Sequence, residues 1–384
     1  MRKYIATLCT VTLLFALASL ATAQDAATIR AIFASAPKIP TTVGAVEIFA
    51  GPPKGFNPLT AGGADLAKYG LPQRPDQTAQ PERYAMWTRA MAALKTRADG
   101  VRETGRYHGP ARLLPTTPSA ETVSNIPVTI GSSNWSGIVN TNKLTRWNVN
   151  TSFDEVVSYW PVPVAIPPFG ACALSGINPP FLMSQWNGID GLNSGDVVQG
   201  GSEGYSYCNG TSPGASGYIG WVEWYPSYAE LEITCGGSAC PVGPGDVMYA
   251  VTDATAGTAT QTVFLEDTTQ QWYITASLPY VSGPGVIGNS EEQVIERPCC
   301  NGSNLFALNN YNYGWFSETF GFDGHGTEFY AGSQAVTTYN VQMYNDAFSQ
   351  VISEVLLQGS AGNAGKFTLF FSDEGCAYTG GCAP

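Results

Sequence analysis

The chain has 384 residues, 44% of them hydrophobic and only 12% charged, with 43 Gly and 26 Pro; this is a turn-rich globular composition and excludes a disordered or collagen-like chain. A formal net charge of −12 disfavours nucleic acid and anionic lipid as partners, because either would repel the protein. Only two His are present, His108 and His325, so histidine-rich zinc chemistry is excluded from the second part of the chain, and no cofactor or metal is expected.

The N-terminus runs Met1-Arg2-Lys3, then an apolar stretch over 11–20, then Ala21-Thr22-Ala23. That basic, hydrophobic, small-x-small order predicts a secretory signal over residues 1–23 and an exported product, extracellular or periplasmic. The apolar run is short and no later run approaches spanning length, so no membrane association is expected.

Residues 24–130 alternate Pro/Gly-rich stretches with one convincing helix beginning at Pro81. Its apolar residues Tyr84, Trp87, Met91 and Leu94 recur at spacings of 3, 4 and 3, with Arg83, Arg89, Lys95 and Arg97 elsewhere. Residues 1–130 carry 14 Lys/Arg against 8 Asp/Glu, whereas residues 131–384 carry 4 against 22. The stripe needs a cover: either 24–130 is a small helical domain, or it is a basic prosegment laid in cis on an acidic domain. The prosegment is the sharper expectation, with its junction near 116–130, where Pro115, Pro118 and Pro127 mark a linker.

From Ser132 the pattern becomes short alternating, β-branched or aromatic runs, as at 218–225, 247–251, 261–265, 271–278 and 366–371. Residues 261–278 fit a hairpin turning near Glu266-Asp267-Thr268-Thr269, and 347–357, the one stretch that also passes as helical, is assigned to strand by its neighbours. No βαβ alternation is visible. The predicted fold for 131–384 is therefore all-β, a sandwich of two antiparallel sheets of lectin-like or jelly-roll type, preceded by the signal peptide and the partly helical prosegment. Removing Cys9 with the signal leaves eight Cys, an even number that suggests disulfides in an exported chain; the short loops Cys235 to Cys240 and Cys376 to Cys382 are favoured. Sequons occur at Asn134, Asn150, Asn209 and Asn301.

Few His, many carboxylates and many Trp and Tyr suit a carboxylate site facing an extended polymer, peptide or glycan. Five motifs sharpen this: Ser133-Asn134-Trp135-Ser136-Gly137; Gln185-Trp186-Asn187-Gly188-Ile189-Asp190-Gly191; Gln199-Gly200-Gly201; Glu223-Trp224-Tyr225-Pro226; and Glu292-Gln293-Val294-Ile295-Glu296. In this order and approximate spacing they resemble the glutamic peptidases, or eqolisins, over most of 132–300. The resemblance implies a two-sheet sandwich, an endopeptidase acting on polypeptides at acid pH, and a catalytic pair of Gln199 and Glu296. It also places Trp135, Trp186 and Asp190 around a cleft. Two positions depart from the family: Gly200 replaces a residue that usually has a side chain, and Arg297-Pro298-Cys299-Cys300 replaces an acidic continuation.

The pair suits amide hydrolysis. An ionised Glu296 can take a proton from a shared water, and the Gln199 amide can donate to the developing oxyanion. Strand alternation places Glu292 on the face of Glu296 as a second cleft carboxylate, and Glu223 on the face of Trp221 and Tyr225. Rival readings are a sandwich glycoside hydrolase using Glu223 and Glu296, a non-catalytic lectin-like binder, and a serine hydrolase at one of two chance G-x-S-x-G matches, which has only His325 for a base. With so few Lys and Arg, residues 131–384 build up little self-repulsion when their carboxylates protonate, which suits acid operation of an enzyme expected to be monomeric.

Overall fold

The computed structural model describes residues 28–114, 128–142, 152–174, 180–301, 304–323, 327–330, 336–357 and 366–371. The signal stretch, Cys376 and Cys382, His325 and Asn150 lie outside them. Strands dominate, as the period-2 runs require, and gather into two sheets. The back sheet orders Glu47–Phe49, Trp272–Pro279, Thr260–Asp267, Val247–Asp253, Phe153–Pro161 and Glu318–Asp323 side by side. The front sheet runs Leu231–Cys235, Ser212–Tyr225, Val197–Asn209, Phe181–Ile189, Ser290–Glu296, Trp135–Asn142 and Val336–Tyr344 at its centre. Among the described residues the strands pair antiparallel except for two short additions, Val128–Ser132 beside Val336–Tyr344 and Thr96–Arg97 beside Trp272 and Tyr273, and a single parallel bridge joins Leu182 to Leu308. The expected sandwich is therefore present. Among the described residues no helix is long and apolar enough to cross a membrane.

Alternation decides what each face buries. Along Val197–Asn209, Val198, Gly200 and Ser202 point between the sheets, and a Cβ on Gly200 would lie 2.5 Å from Val263 of the back sheet. The departure at Gly200 is thus a packing requirement of the core. Trp160, Met183, Val222, Leu265, Ile274 and Ile295 fill that interior. The residues between them, Gln199, Gly201 and Glu203, face outward from the front sheet.

The hairpin is Thr260–Asp267 with Trp272–Pro279, its register set by pairs such as Glu266↔Tyr273. Val351–Leu357 is a strand, and the helix spans Pro81–Ala93. Pro at the first helical position has no N–H to leave unsatisfied, so it starts the helix well. The helix lays Met86, Trp87, Ala90 and Met91 on the outside of the back sheet, against Phe264 and Phe320 among others. Cys235–Cys240 is bonded, as is Cys172–Cys208, a pair not anticipated. Of the sequons, Asn209 is exposed at a turn, whereas Asn134 is 2% exposed with its amide bonded inside the protein, where no glycan fits.

Candidate active site

Residues paired across neighbouring strands point to the same side, so the outer face of the front sheet can be read in rows. One row is Glu292, Gly188, Gln199 and Glu223; the next is Val294, Trp186, Gly201 and Trp221; the third is Trp135, Glu296, Ser184 and Glu203. Glycines clear space in this floor. A Cβ on Gly188 would come within 2.9 Å of the Trp186 ring and 3.1 Å of the Gln199 Cβ, and one on Gly201 within 2.5 Å of the Trp186 Cβ. Any larger residue would displace the side chains that form the site.

Residues 104–114 run across this floor as a strap. Thr104 N–H donates to the Glu230 carbonyl (3.0 Å) and Glu230 N–H to the Arg106 carbonyl (2.9 Å). Tyr107 and Cys299 exchange backbone hydrogen bonds of 2.6 and 2.8 Å, and Leu114 N–H donates to Gly131 (3.0 Å). His108 lies at the centre, fully buried, its ring stacked on Trp221 with centroids 3.9 Å apart and planes 7° off parallel. Its N–H donates to Glu223 Oε2 (3.0 Å), and its carbonyl accepts from Gln199 Nε2 (2.5 Å). Its ring bridges two carboxylates, with Nε2 2.7 Å from Glu230 Oε2 and Nδ1 3.4 Å from Glu296 Oε2. Arg106 adds Nη2 at 2.7 Å from Glu230 and 2.9 Å from Glu203.

Gln199 and Glu296, 97 residues apart in sequence, thus meet on one residue of the strap. Glu296 is held in place by Trp186 Nε1 (2.9 Å) and Asn134 Nδ2 (3.2 Å). Asn134 also donates to the Pro110 carbonyl (3.1 Å) and accepts from Arg112 N–H (2.8 Å), so it ties the carboxylate to the strap.

Burial of so many carboxyls shifts their proton affinities. Burial raises Glu296 above the ordinary carboxylate value, partly offset by His108, Asn134 and Trp186. Burial raises Glu223 well above it, against the pull of His108. Burial together with the charge of Glu230 raises Glu203, whereas in Glu230 the burial penalty is outweighed by the His108 hydrogen bond and by Arg106, which hold it low. Burial alone would lower His108; the Glu230 and Glu296 carboxylates against its ring raise it well above 6.5. The strap thus brings two basic side chains to the carboxylates, the partly covered Arg106 and the fully buried His108.

The other expected residues divide. Trp186 buttresses Glu296, and Trp135 packs edge-on to Trp186 with centroids 5.1 Å apart. Glu223 reaches the strap. Glu292 is buried on the same face, next to Gly188, and no strap residue bonds to it among the described residues. Asp190 sits at a turn with φ 69° and accepts backbone N–H groups from Ile287, Gly288 and Asn289, so its place is to fix that loop. Ser202, of one G-x-S-x-G match, lies within a strand and accepts from Trp160 inside the core, with no strand-to-helix turn around it. The motif reading did not single out Asn134, Glu203, Glu230, Trp221, Arg106 or His108 as site residues. Period 2 from Gln199 leads to Glu203, and from Glu223 to Trp221, so those two carried a usable signal.

Residues 133–363, more than half of the chain, match the profile of the Peptidase A4 family. Among solved structures, scytalido-glutamic peptidase with a transition-state analogue inhibitor is 18% identical, covers 62% of this chain and 98% of its own, and superposes with a TM-score of 0.47. The eqolisin SCP-B in complex with the tripeptide Ala-Ile-His is 16% identical with the same coverages and a TM-score of 0.45. Aspergilloglutamic peptidase from Aspergillus niger is 21% identical, covers 50% of this chain and 99% of its own, and scores 0.40. No curated protein matches the sequence. On the extent of the profile match, the chain belongs to the Peptidase A4 family, the eqolisins, and is a glutamic-type peptidase acting on polypeptides.

Proposed function

We propose that the protein is a secreted acid endopeptidase that uses Glu296 and Gln199, made as a zymogen whose own residues 104–114 fill the site until acid releases them. The observation that carries this reading is the His108 carbonyl: a peptide oxygen already accepts a hydrogen bond from Gln199 at 2.5 Å while Glu296 stands 3.4 Å from the same residue. A substrate carbonyl on Gln199 places its carbon beside the carboxylate. Ionised Glu296 takes a proton from water, the resulting hydroxide adds to the carbonyl carbon, and Gln199 N–H receives the oxyanion. Protonated Glu296 then gives its proton to the amide nitrogen as the C–N bond breaks. The His108 ring lies against the face of Glu296 where that water must stand, which accounts for latency.

Family membership sets aside the glycosidase pairing of Glu223 with Glu296 and the lectin-like alternative. The pH response follows from the linked groups. Docking the strap holds Glu230 below its ordinary 4.5, so docking releases a proton there and weakens as pH falls through the carboxylate range. Docking raises His108 above 6.5, so the His108 contribution is complete below that pH and is lost as pH climbs past the raised value. Through Glu230 and His108 the strap is tightest between these limits and loosens in acid, while Glu203, Glu223 and Glu296, raised by burial, act in the opposite sense.

Digestion of a denatured protein at pH 3 by wild type, Gln199→Ala and Glu296→Gln tests the reaction. Loss of one oxyanion donor is expected to lower kcat about 10²–10³-fold, and loss of the general base about 10²–10⁴-fold. Unchanged turnover in either variant refutes the dyad.

A further inference from the structure

Residues 38–103, like the strap, make backbone bonds to the sandwich, but the side chains that accompany those bonds are mainly apolar. Gly100–Glu103 is an antiparallel strand on Leu231–Thr234 at the edge of the front sheet. Glu47 and Ile48 pair with Ser277 and Ala276, and Thr96 and Arg97 with Trp272 and Tyr273, at the edge of the back sheet. These backbone bonds do not titrate. Val46, Ile48, Ala98 and Val101, each at most 3% exposed, belong to the same continuous core as Trp160 and Ile274. Without them the interior between the sheets is open at one end. Outside the back sheet, Trp87 and its neighbours cover Tyr249, Phe264, Tyr273 and Phe320, an apolar face.

We propose that this N-terminal region stays on the active enzyme as a permanent, non-covalently bound second chain, and that only the strap leaves the site. The inference rests on the reading that the chain is a zymogen cut downstream of residue 114. It assigns the outer face of the back sheet a fixed occupant, residues 38–103 of the same molecule.

Acid does not loosen this interface as it loosens the strap. Glu266, on the covered face between Tyr249 and Tyr273, is fully buried with neither carboxyl oxygen hydrogen-bonded. The charged group that acts on it is Asp267 on its own strand; Glu266 in turn acts on Tyr249, which also feels Arg83, Glu155 and Tyr159, and on Tyr273, which also feels Arg97. Burial and Asp267 raise its affinity for a proton, so the covered state is favoured below the ordinary carboxylate value and penalised as pH rises. The ion pairs Arg83 to Glu155, Arg89 to Glu318 and Arg102 to Glu232 are the acid-labile part; in the last two the arginine is half-exposed or more, and pairs of that exposure contribute little. Both guanidinium groups also lie over rings, Arg83 at 3.9 Å from the Phe322 centroid and Arg89 at 5.1 Å from Tyr159, contacts that survive carboxylate protonation.

The test is a full chain with a site-specific endoprotease sequence inserted within residues 115–127, in wild-type and Glu296→Gln forms, cut at pH 7 and passed through gel filtration at pH 7 and pH 3.5. Denaturing gels of the protein peak are expected to show the N-terminal fragment one-to-one with the catalytic fragment at both pH values, and the wild-type peak at pH 3.5 is expected to digest peptide. Departure of the N-terminal fragment at pH 3.5, whether or not the remainder stays folded, overturns the proposal. A Trp87→Ala companion is expected to lose at least tenfold of the retained fragment; full retention in it would overturn the assigned face. Retention without peptidase activity at any pH would instead refute the proposed release of the strap and leave the assigned face standing, so the two failures are distinguishable.

Discussion

The strap over 104–114 and the region over 38–103 are neighbours in sequence, each covers one outer face of the sandwich and each makes backbone bonds to it, yet the side chains that add to those bonds are mainly ionic in the strap and mainly apolar in the preceding region. The strap meets the front sheet through His108 and Arg106 on Glu203, Glu230 and Glu296. The preceding region meets the back sheet through Trp87, Met86 and Met91 on aromatic rings, and through strand pairing at both sheet edges. A carboxylate contact can be removed by a proton; an apolar or backbone contact cannot. On the proposed reading, one contiguous stretch of chain therefore combines a part that responds strongly to pH with a part that responds little.

The sharpest way to break this comparison is His108→Ala. It removes the ring's charged hydrogen bond to Glu230, counting for about 1.5–3 kcal/mol, and its ion-pair contact with Glu296, so the uncut protein is expected to turn over peptide near pH 6 at least ~100-fold faster than wild type. Its thermal midpoint is expected to stay close to wild type, and a large drop there would mean that the strap is structural. Trp87→Ala should do the reverse: a cost of about 3–5 kcal/mol for truncating a buried Trp, read by denaturant unfolding, with latency at pH 6 intact in the folded protein. If Trp87→Ala instead relieves latency without loss of stability, the two regions are one device. Glu230→Gln removes the carboxylate that the strap holds low, so the pH of activation should move upward by roughly one unit, the scale on which a 1.36 kcal/mol change registers; a downward move would reverse the assigned sign. The smallest effect belongs to Arg89→Ala. Its half-exposed ion pair with Glu318 should contribute about 0–1 kcal/mol, with no change in activation pH.

Much of the sandwich was readable because alternation and turn residues survive locally in the sequence, as in the hairpin of Thr260–Asp267 and Trp272–Pro279 and the helix at Pro81. Gln199 and Glu296 were readable only through motifs, since nothing local says that residues in Val197–Asn209 and Ser290–Glu296 face one another across Phe181–Ile189. His108 was illegible for a clearer reason. It sits in a segment without period, between Gly105 and Gly109, and its partners lie 91 to 188 residues further on. The short strands Lys38–Pro40, Glu47–Phe49 and Gly100–Glu103 are too brief to show alternation, so composition made 24–130 look like one unit where the core divides it. Asp190 shows the converse hazard, because its position within a motif suggested a cleft residue while its positive φ and three backbone donors give it a loop to fix.

The pairing of Glu103 with Leu231 ends one residue before the strap begins. On the proposed reading, a downstream cut leaves the strap on a leash, anchored at its amino end to the sheet whose cleft it vacates. A leashed ligand meets its site at an effective concentration in the millimolar range, whatever the bulk dilution. Inhibition should then be reversible and indifferent to dilution: returning the cut enzyme to neutral pH silences it again, which a diffusible propeptide at nanomolar concentration could not do.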